Sequence, residues 1–473
     1  MIHKSLKSIA DMCGGTLSRN QDDNIIIQGV GTDSRTIQPG NLFVPIVGEK
    51  FDGHEFVESV LAGGAGAAFW QRDHQPVPAD LPLIFVEDTL KALQSLAAAY
   101  LSESRAKVVG ITGSNGKTTV KDMVSALLET TYNVHKTQGN YNNHIGLPLT
   151  VLAMKEDTDI IVLEMGMSGR HEIELLSNIA RPDLTVITNV GEAHLLQLGS
   201  REEIARAKLE IISGMKPGGL LIYHGDEPLI RQVLAEEATV KPEGLRTFTF
   251  GNQDTNDDYP TGLMFHARGI IFTSSRHAGE GFSLPLLGRH NVVNALAAMA
   301  VATHLGIGDE AIRSGFAHLK LSSMRIEAVE TAFGVTVLND AYNSSPTAVK
   351  AAVDVLGDMK GYRRRIAVLG DMLELGQREE SFHAEIGEYL SPDNADLVFT
   401  YGPLSLHTAN KAKARFPEGA VLSFTDKEKL IEALLEQVTE KDIVLVKASR
   451  GMRLEHVVDA LKALPGSNNG VRG

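Results

Sequence analysis

The sequence predicts an α/β protein of three domains, on three observations. Its 473 residues exceed the ~250–300 at which a single hydrophobic core stops growing. From Lys107 onward, short apolar runs alternate with longer stretches of helical periodicity, and the alternation restarts near Ser323, the pattern of βαβ units and parallel sheets. A glycine-rich segment lies between one such run and the helix that follows it, the place where open α/β sheets hold ligands.

The elements follow in order. Residues 1–105 form a small glycine-rich α/β domain with strand candidates at 25–27 and 42–45 and a polar turn, Gly31-Thr-Asp-Ser34-Arg35. Residues 106–320 form the central domain. Its strand candidates are 108–111, 160–163, 184–188 and 220–223, with helices at 118–128 and 201–213 and an alanine-rich helix near 291–305. Residues 321–473 repeat the alternation, with strands at 335–338, 365–369, 397–400 and 443–446 and helices at 347–356, 379–389, 427–435 and 453–461. This last zone reads as a second, smaller, Rossmann-like open sheet. The tail 465–473 is short and rich in Gly, Ser and Asn, a composition that does not pack.

Composition excludes several classes of function. Lys and Arg number 45 against 59 Asp and Glu, a net charge of −14, so the surface repels nucleic-acid backbones while leaving room for a local basic pocket. Cys13 is the only cysteine, which rules out an intrachain disulfide or a cysteine zinc site and suits a reducing compartment. The first residues carry lysines and an aspartate where a secretory signal needs an apolar run. No uncharged apolar stretch reaches the ~18 residues of a membrane span. The expectation is a cytoplasmic protein without a membrane segment, and a monomer.

The sharpest motif is Gly110-Ile-Thr-Gly113-Ser114-Asn115-Gly116-Lys117-Thr118-Thr119. Glycines let backbone N–H groups converge on a phosphate, and the helix that opens here adds its positive end. Lys117 is expected on the β- and γ-phosphates and the Thr118 hydroxyl on Mg²⁺. The glycines stand at 110, 113 and 116, so the spacing departs from the commonest P-loop, but strand, loop and helix keep the P-loop-type order. Ile160-Ile-Val-Leu163 runs directly into Glu164. A carboxylate at that strand end is the first choice for a second Mg²⁺ ligand. An Asn-Lys-x-Asp guanine-reading motif is absent, which favours ATP.

The next strand ends in Thr188-Asn189-Val-Gly191-Glu-Ala-His194. Spacing alone leaves His194 balanced between a ligand and a structural histidine. It reads Lys208, in Ala205-Arg-Ala-Lys208-Leu-Glu, as an ordinary solvated lysine of a helix.

These motifs together resemble the Mur ligases of bacterial cell-wall synthesis, along essentially the whole chain. The segment Gly113, Ser114, Asn115, Gly116, Lys117, Thr118 and Thr119 is similar to their ATP loop. The resemblance implies that Glu164 and His194 hold magnesium and that Lys208 is carbamylated, which turns a cation into a metal-binding oxygen ligand. Gly288-Arg-His-Asn291-Val-Val-Asn294 resembles the helix beside adenine. Arg325 and Asp340-Ala-Tyr-Asn343 resemble the ATP-contacting start and strand end of the last domain. Gly139-Asn140-Tyr-Asn-Asn143 and Gly370-Asp-Met-Leu-Glu374-Leu-Gly376 resemble the branch that adds D-alanyl-D-alanine. The Asp-Asn-Pro-Arg motif of the diaminopimelate-adding branch is missing. The turn with Ser34 and Arg35 resembles the UDP-binding domain of this branch.

The resemblance thus implies an ATP- and Mg²⁺-dependent amide ligase that phosphorylates the carboxylate of UDP-N-acetylmuramoyl-tripeptide and lets D-alanyl-D-alanine displace the phosphate. Ser34, Arg35, Asn140 and Asn143 are the implied substrate contacts, and Lys117, His194 and Lys208 the implied catalytic set. The alternatives are another Mur ligase or a folylpolyglutamate synthetase-like ligase and, from a different class, a P-loop switch ATPase with a macromolecular partner.

Overall fold

The computed structural model describes residues 1–266, 269–277, 279–322 and 327–466. The end of the expected loose tail, from 467, lies outside these. The central sheet has six parallel strands. Their order is Arg246–Phe250, Leu220–His224, Leu184–Ile187, Lys107–Thr112, Ile160–Glu164 and Val134–Lys136. The strand that feeds the glycine loop is therefore interior. The chain runs from it to two strands on one side and then crosses to the other, which opens a crevice at the C-terminal edge. Register brings Glu164 opposite Ile111 and Ile187 opposite Thr112, so the ends of three neighbouring strands deliver their next residues to one rim.

These strands read as continuous apolar runs because both faces are covered. Val108, Ile161, Leu163 and Ile187 enter one core, while Val109, Ile111, Val162 and Val186 enter the other. The first core is shared with the N-terminal region. Leu93 and Leu96 of the helix Thr89–Glu103 belong to the same cluster as Leu147 and Val151 of the helix Gly146–Ala153. The Tyr100 hydroxyl donates to Met154 O at 2.9 Å, and Ile2 N donates to Leu152 O at 2.8 Å. The N-terminal region and the central sheet therefore pack as one body. The former has a five-stranded sheet in the order Thr16–Leu17, Leu83–Val86, Ala67–Gln71, Leu42–Phe43, Val30–Gly31.

The C-terminal sheet has its own two cores, which meet the centre chiefly through the partly buried Leu195 and Leu287. Its order is Glu327–Glu330, Thr336–Asp340, Ile443–Lys447, Arg365–Gly370, Leu397–Tyr401, Val421–Phe424. The expectation of a smaller sheet is corrected here, since among the described residues it matches the central sheet in strand number. Each sheet has two edge strands beyond the four that its apolar runs predict. Glu327–Glu330 is charged at both ends, and Val421–Phe424 is only partly buried, so neither carries the apolar run of an interior strand. Ser345 caps the helix Pro346–Asp358, with proline at its first turn, where the missing N–H costs nothing.

Candidate active site

The loop after Lys107–Thr112 is tied to the neighbouring strand end. Ser114 N donates to Asn189 O at 3.1 Å, and Asn115 N to Asn189 Oδ1 at 2.9 Å. Gly191 N donates to Ser114 Oγ at 2.8 Å, and Thr188 Oγ1 to Asn115 O at 2.5 Å. The amides of Ser114 and Asn115 are thus spent on fixing the loop. The anion cradle that remains is the N-terminus of the helix Lys117–Leu128, with its positive dipole end. Lys117 Nζ folds over this loop, donating to Gly113 O at 2.7 Å.

Two glycines in the loop have no substitute. Gly113 has φ +151°, and a Cβ there would stand 1.8 Å from Thr188 Oγ1; Gly116 has φ +80°, with Asn294 Oδ1 2.8 Å from its Cβ position. Gly113→Ala must push aside a threonine that is itself bonded to the loop. We expect it to lower unfolding free energy by roughly 1–3 kcal/mol, the usual cost of overpacking, read as a shifted denaturant midpoint. An unchanged midpoint would mean that the loop is not clamped as described.

The loop divides two cavities. The first, about 360 Å³, lies between the central and C-terminal domains and is lined by Asn115, Gly116, Thr119, Asn291, Asn294 and Asp340, among others. Asn294 Nδ2 donates to Asn291 Oδ1 at 3.1 Å, so the two asparagines form one polar surface on the alanine-rich helix. Across from them, Lys447 Nζ donates to Asp340 Oδ2 at 2.6 Å and to Asn343 O at 2.9 Å. Both charges of that pair are buried.

The second cavity, about 490 Å³, lies on the other side of the loop and gathers Lys117, Thr118, Asn140, Asn143, Glu164 and His194. Asn343 borders both cavities. Glu164 is buried, and its Oε1 accepts from Asn142 Nδ2 at 2.8 Å, while its Oε2 has no hydrogen-bond partner among the described residues. An unpartnered buried carboxylate oxygen is costly unless a cation or donor completes it. With the Thr118 hydroxyl lining the same cavity, this oxygen-rich donor set suits a hard divalent cation such as Mg²⁺.

Lys208 is not the solvated lysine that spacing alone implied. It is 2 % exposed, on the inner face of the helix Arg201–Leu209 together with Ala205 and Ala207. Burial, and then the charge of Lys117, pushes its amine well below the usual lysine range. Burial likewise lowers His194, with Lys117 and Lys208 adding to the effect and Glu374 opposing it. His194 thus belongs to one electrostatic group with the two lysines.

Other expected residues stand apart. Ser34 and Arg35 line neither cavity. Arg35 is exposed and paired with Asp33 at 2.7 Å, and its guanidinium holds that carboxyl down to about 2. Asn143 is partly spent as a helix cap, accepting from Gly146 N at 2.8 Å, and Asn140 is exposed at the cavity rim. Arg325 lies outside the described residues. Sequence reasoning missed Asn142, which holds Glu164, and Asn189, which holds the loop. Both stand inside motifs that had been singled out, Asn142 one position from Asn143 and Asn189 in the segment that ends at His194.

Family models match along the chain: the Mur ligase family, catalytic domain over residues 26–101, the Mur ligase middle domain over 111–302, and the Mur ligase glutamate ligase domain over 324–450. A Bacillus subtilis protein named UDP-N-acetylmuramoyl-tripeptide--D-alanyl-D-alanine ligase is 48% identical over 98% of this chain and 100% of its own length. A crystal structure of MurF from Acinetobacter baumannii is similar with a TM-score of 0.87 and 27% identity, covering 98% of this chain and 99% of that one. The structure of MurF ligase from Thermotoga maritima in complex with ADP has a TM-score of 0.80 at 31% identity, over 92% and 97% of the two chains.

Proposed function

The chain belongs to the Mur ligase family and joins D-alanyl-D-alanine to UDP-N-acetylmuramoyl-tripeptide at the expense of ATP, and we propose that it does so through an acyl phosphate made where its two cavities meet. One observation carries the reading. Gly116 lines the cavity of Asn291, Asn294 and Asp340, and its neighbour Lys117 lines that of Glu164 and His194. A nucleotide held in the first cavity presents its terminal phosphate to the second across the helix N-terminus.

A carboxylate is a poor acyl donor because its leaving group would be oxide. Attack of the tripeptide carboxylate on the γ-phosphorus forms an acyl phosphate and releases ADP. The dipeptide amine then adds to the acyl carbon, the amine proton is lost, and the tetrahedral oxyanion collapses to the amide with departure of phosphate. Each species on this path is anionic, so the protein's work is positioning and cation supply. Asn291 and Asn294 form the polar wall for the base, while the helix start and Lys117 hold the phosphates. Arg325 is assigned to the nucleotide on the family resemblance, with Asp340 and Asn343 facing it from the C-terminal domain. Glu164 with Thr118, and His194 with a carbamylated Lys208, are the residues that would hold Mg²⁺. When bound, Mg²⁺ neutralises the transferring phosphoryl group and the oxyanion. Ser34 and Arg35 are assigned to the UDP end, and Asn140 and Asn143 to the peptide.

The proposed compartment is the cytoplasm, where ATP is supplied. No helix among the described residues is long and apolar enough to cross a membrane. Cys13, the lone cysteine, has its thiol pushed up to about 11 by burial and makes no demand for oxidising conditions.

The test is ADP release with UDP-N-acetylmuramoyl-tripeptide and D-alanyl-D-alanine, each omitted in turn. We expect sustained turnover only with both. Turnover indifferent to the dipeptide would defeat the assignment.

A further inference from the structure

We propose that Glu374, carried by the C-terminal domain, is a positioning residue for His194 of the central domain, so that the metal ligand is oriented only when the two domains dock. The inference rests on the reading of His194 as a metal ligand.

Three contacts join the loop around His194 to the loop around Glu374. Glu374 Oε2 lies 3.1 Å from His194 Nδ1. Leu196 N donates to the backbone oxygen of Glu374 at 3.1 Å. Gly376, at φ +69°, brings its Cβ position within 3.3 Å of Leu196 Cα, a backbone approach that a side chain would crowd. Both partners also adopt the left-handed conformation that non-glycine residues avoid, His194 at φ 66° and Glu374 at φ 65°. Such backbone persists where surrounding structure imposes it and clusters at functional sites. Packing does not explain it for Glu374, whose side chain is 53% exposed.

The chemistry of the contact gives it a direction. A carboxylate can only accept, so Nδ1 carries the proton and Nε2 keeps its lone pair for a cation. A carboxylate behind a ligating imidazole fixes the tautomer and the ring angle and strengthens the ligand. The pair is 180 residues apart in sequence and spans two domains with separate cores. Without the docked C-terminal domain, His194 would lack its orienting partner.

The experiment uses the full chain loaded with ADP and titrates Mn²⁺, counting free Mn²⁺ by electron paramagnetic resonance. His194→Ala identifies the sites that depend on this histidine. Glu374→Gly deletes the carboxylate while suiting the left-handed backbone, so it should fold. It is expected to weaken the His194-dependent site by about 10–100-fold, the usual effect of removing such a partner. Glu374→Gln keeps an acceptor oxygen at the same reach and should recover most of the loss. Wild-type Mn²⁺ affinity in Glu374→Gly overturns the proposal while leaving His194 as a ligand, and so does failure of Glu374→Gln to recover any of it. If His194→Ala itself binds Mn²⁺ as the wild type does, the ligand reading and this inference fall together.

Discussion

Replacing Lys117 by alanine is expected to lower the rate of ADP release on the order of 10²–10³-fold, the usual cost of losing one preorganised charge at a developing anion. Arg450 also lines the cavity of Lys117, but it is exposed and comes from the C-terminal domain. Lys117 Nζ is placed by Gly113 O at the mouth of the helix dipole, and the neighbouring cations Lys208 and Lys447 are buried in other settings. A second effect works in the same direction. The charge of Lys117 helps to keep the Lys208 amine below its ordinary range. Removing that charge lets Lys208 hold its proton more readily and makes it a poorer acceptor of CO₂. Lys117→Ala and Lys208→Ala should therefore be non-additive, as expected for groups that act as a unit. Lys117→Arg keeps the charge but spreads it over a planar fork, so it should rescue only part of the rate. The measurement is steady-state ADP release at saturating ATP, tripeptide and dipeptide. A wild-type rate in Lys117→Ala would remove the phosphate cradle from the mechanism.

The parts of this enzyme that were legible in its sequence are those whose cause is local. Buried parallel strands must be continuously apolar, so the strands ending at Thr112, Glu164 and Ile187 lie within a residue or two of their expected limits. The loop was legible for a similar reason, because glycines at 113 and 116 and a lysine at 117 do their work within a few residues of one another. The three-stranded antiparallel sheet Pro260–His266, Gly269–Ser274 and Phe282–Leu284 was not read. Its outer strand is exposed along nearly its whole length, so Leu263, Met264 and Phe265 show no inward and outward alternation. The strand order of the sheets was equally silent, since it depends on crossovers rather than on runs.

Within the site, pairings made across the fold left no signal. Lys447 finds Asp340 across 107 positions, and His194 finds Glu374 across 180. The family resemblance pointed to Lys208, but nothing near it in the chain distinguishes it from Arg206, two residues earlier. That arginine pairs with Glu203 and Glu236 on the partly exposed face of the same helix. Half a turn of helix separates a surface ion pair from a buried amine, and only tertiary packing decides which residue turns inward.

Lys208 is accordingly the second residue whose loss should be severe. An ammonium taken out of water costs several kcal/mol unless an anion meets it, and among the described residues no carboxylate pairs with this one. The resolution available to the side chain is to stay neutral. A neutral amine can add to CO₂, forming an N–C bond and releasing one proton, and the resulting carbamate is an anion. Lys117, which opposed the ammonium, then favours the product, and so would a divalent cation held as proposed at His194. The pocket is therefore unfavourable to protonated lysine and favourable to its carbamate. Lys208→Ala should lower ADP release on the order of 10²–10³-fold, comparable to loss of another preorganised group at the phosphoryl and oxyanion centre. Acetate or formate should restore part of it by entering the space vacated. Wild-type activity should fall when buffers are stripped of bicarbonate and return on its addition, whereas Lys208→Ala should ignore bicarbonate altogether. Lys208→Met separates chemistry from packing, because it fills similar volume without a charge to bury. It should fold at least as stably as the wild type and remain inactive. A Lys208→Met enzyme that turned over at the full rate would rule out the proposed carbamate beside His194.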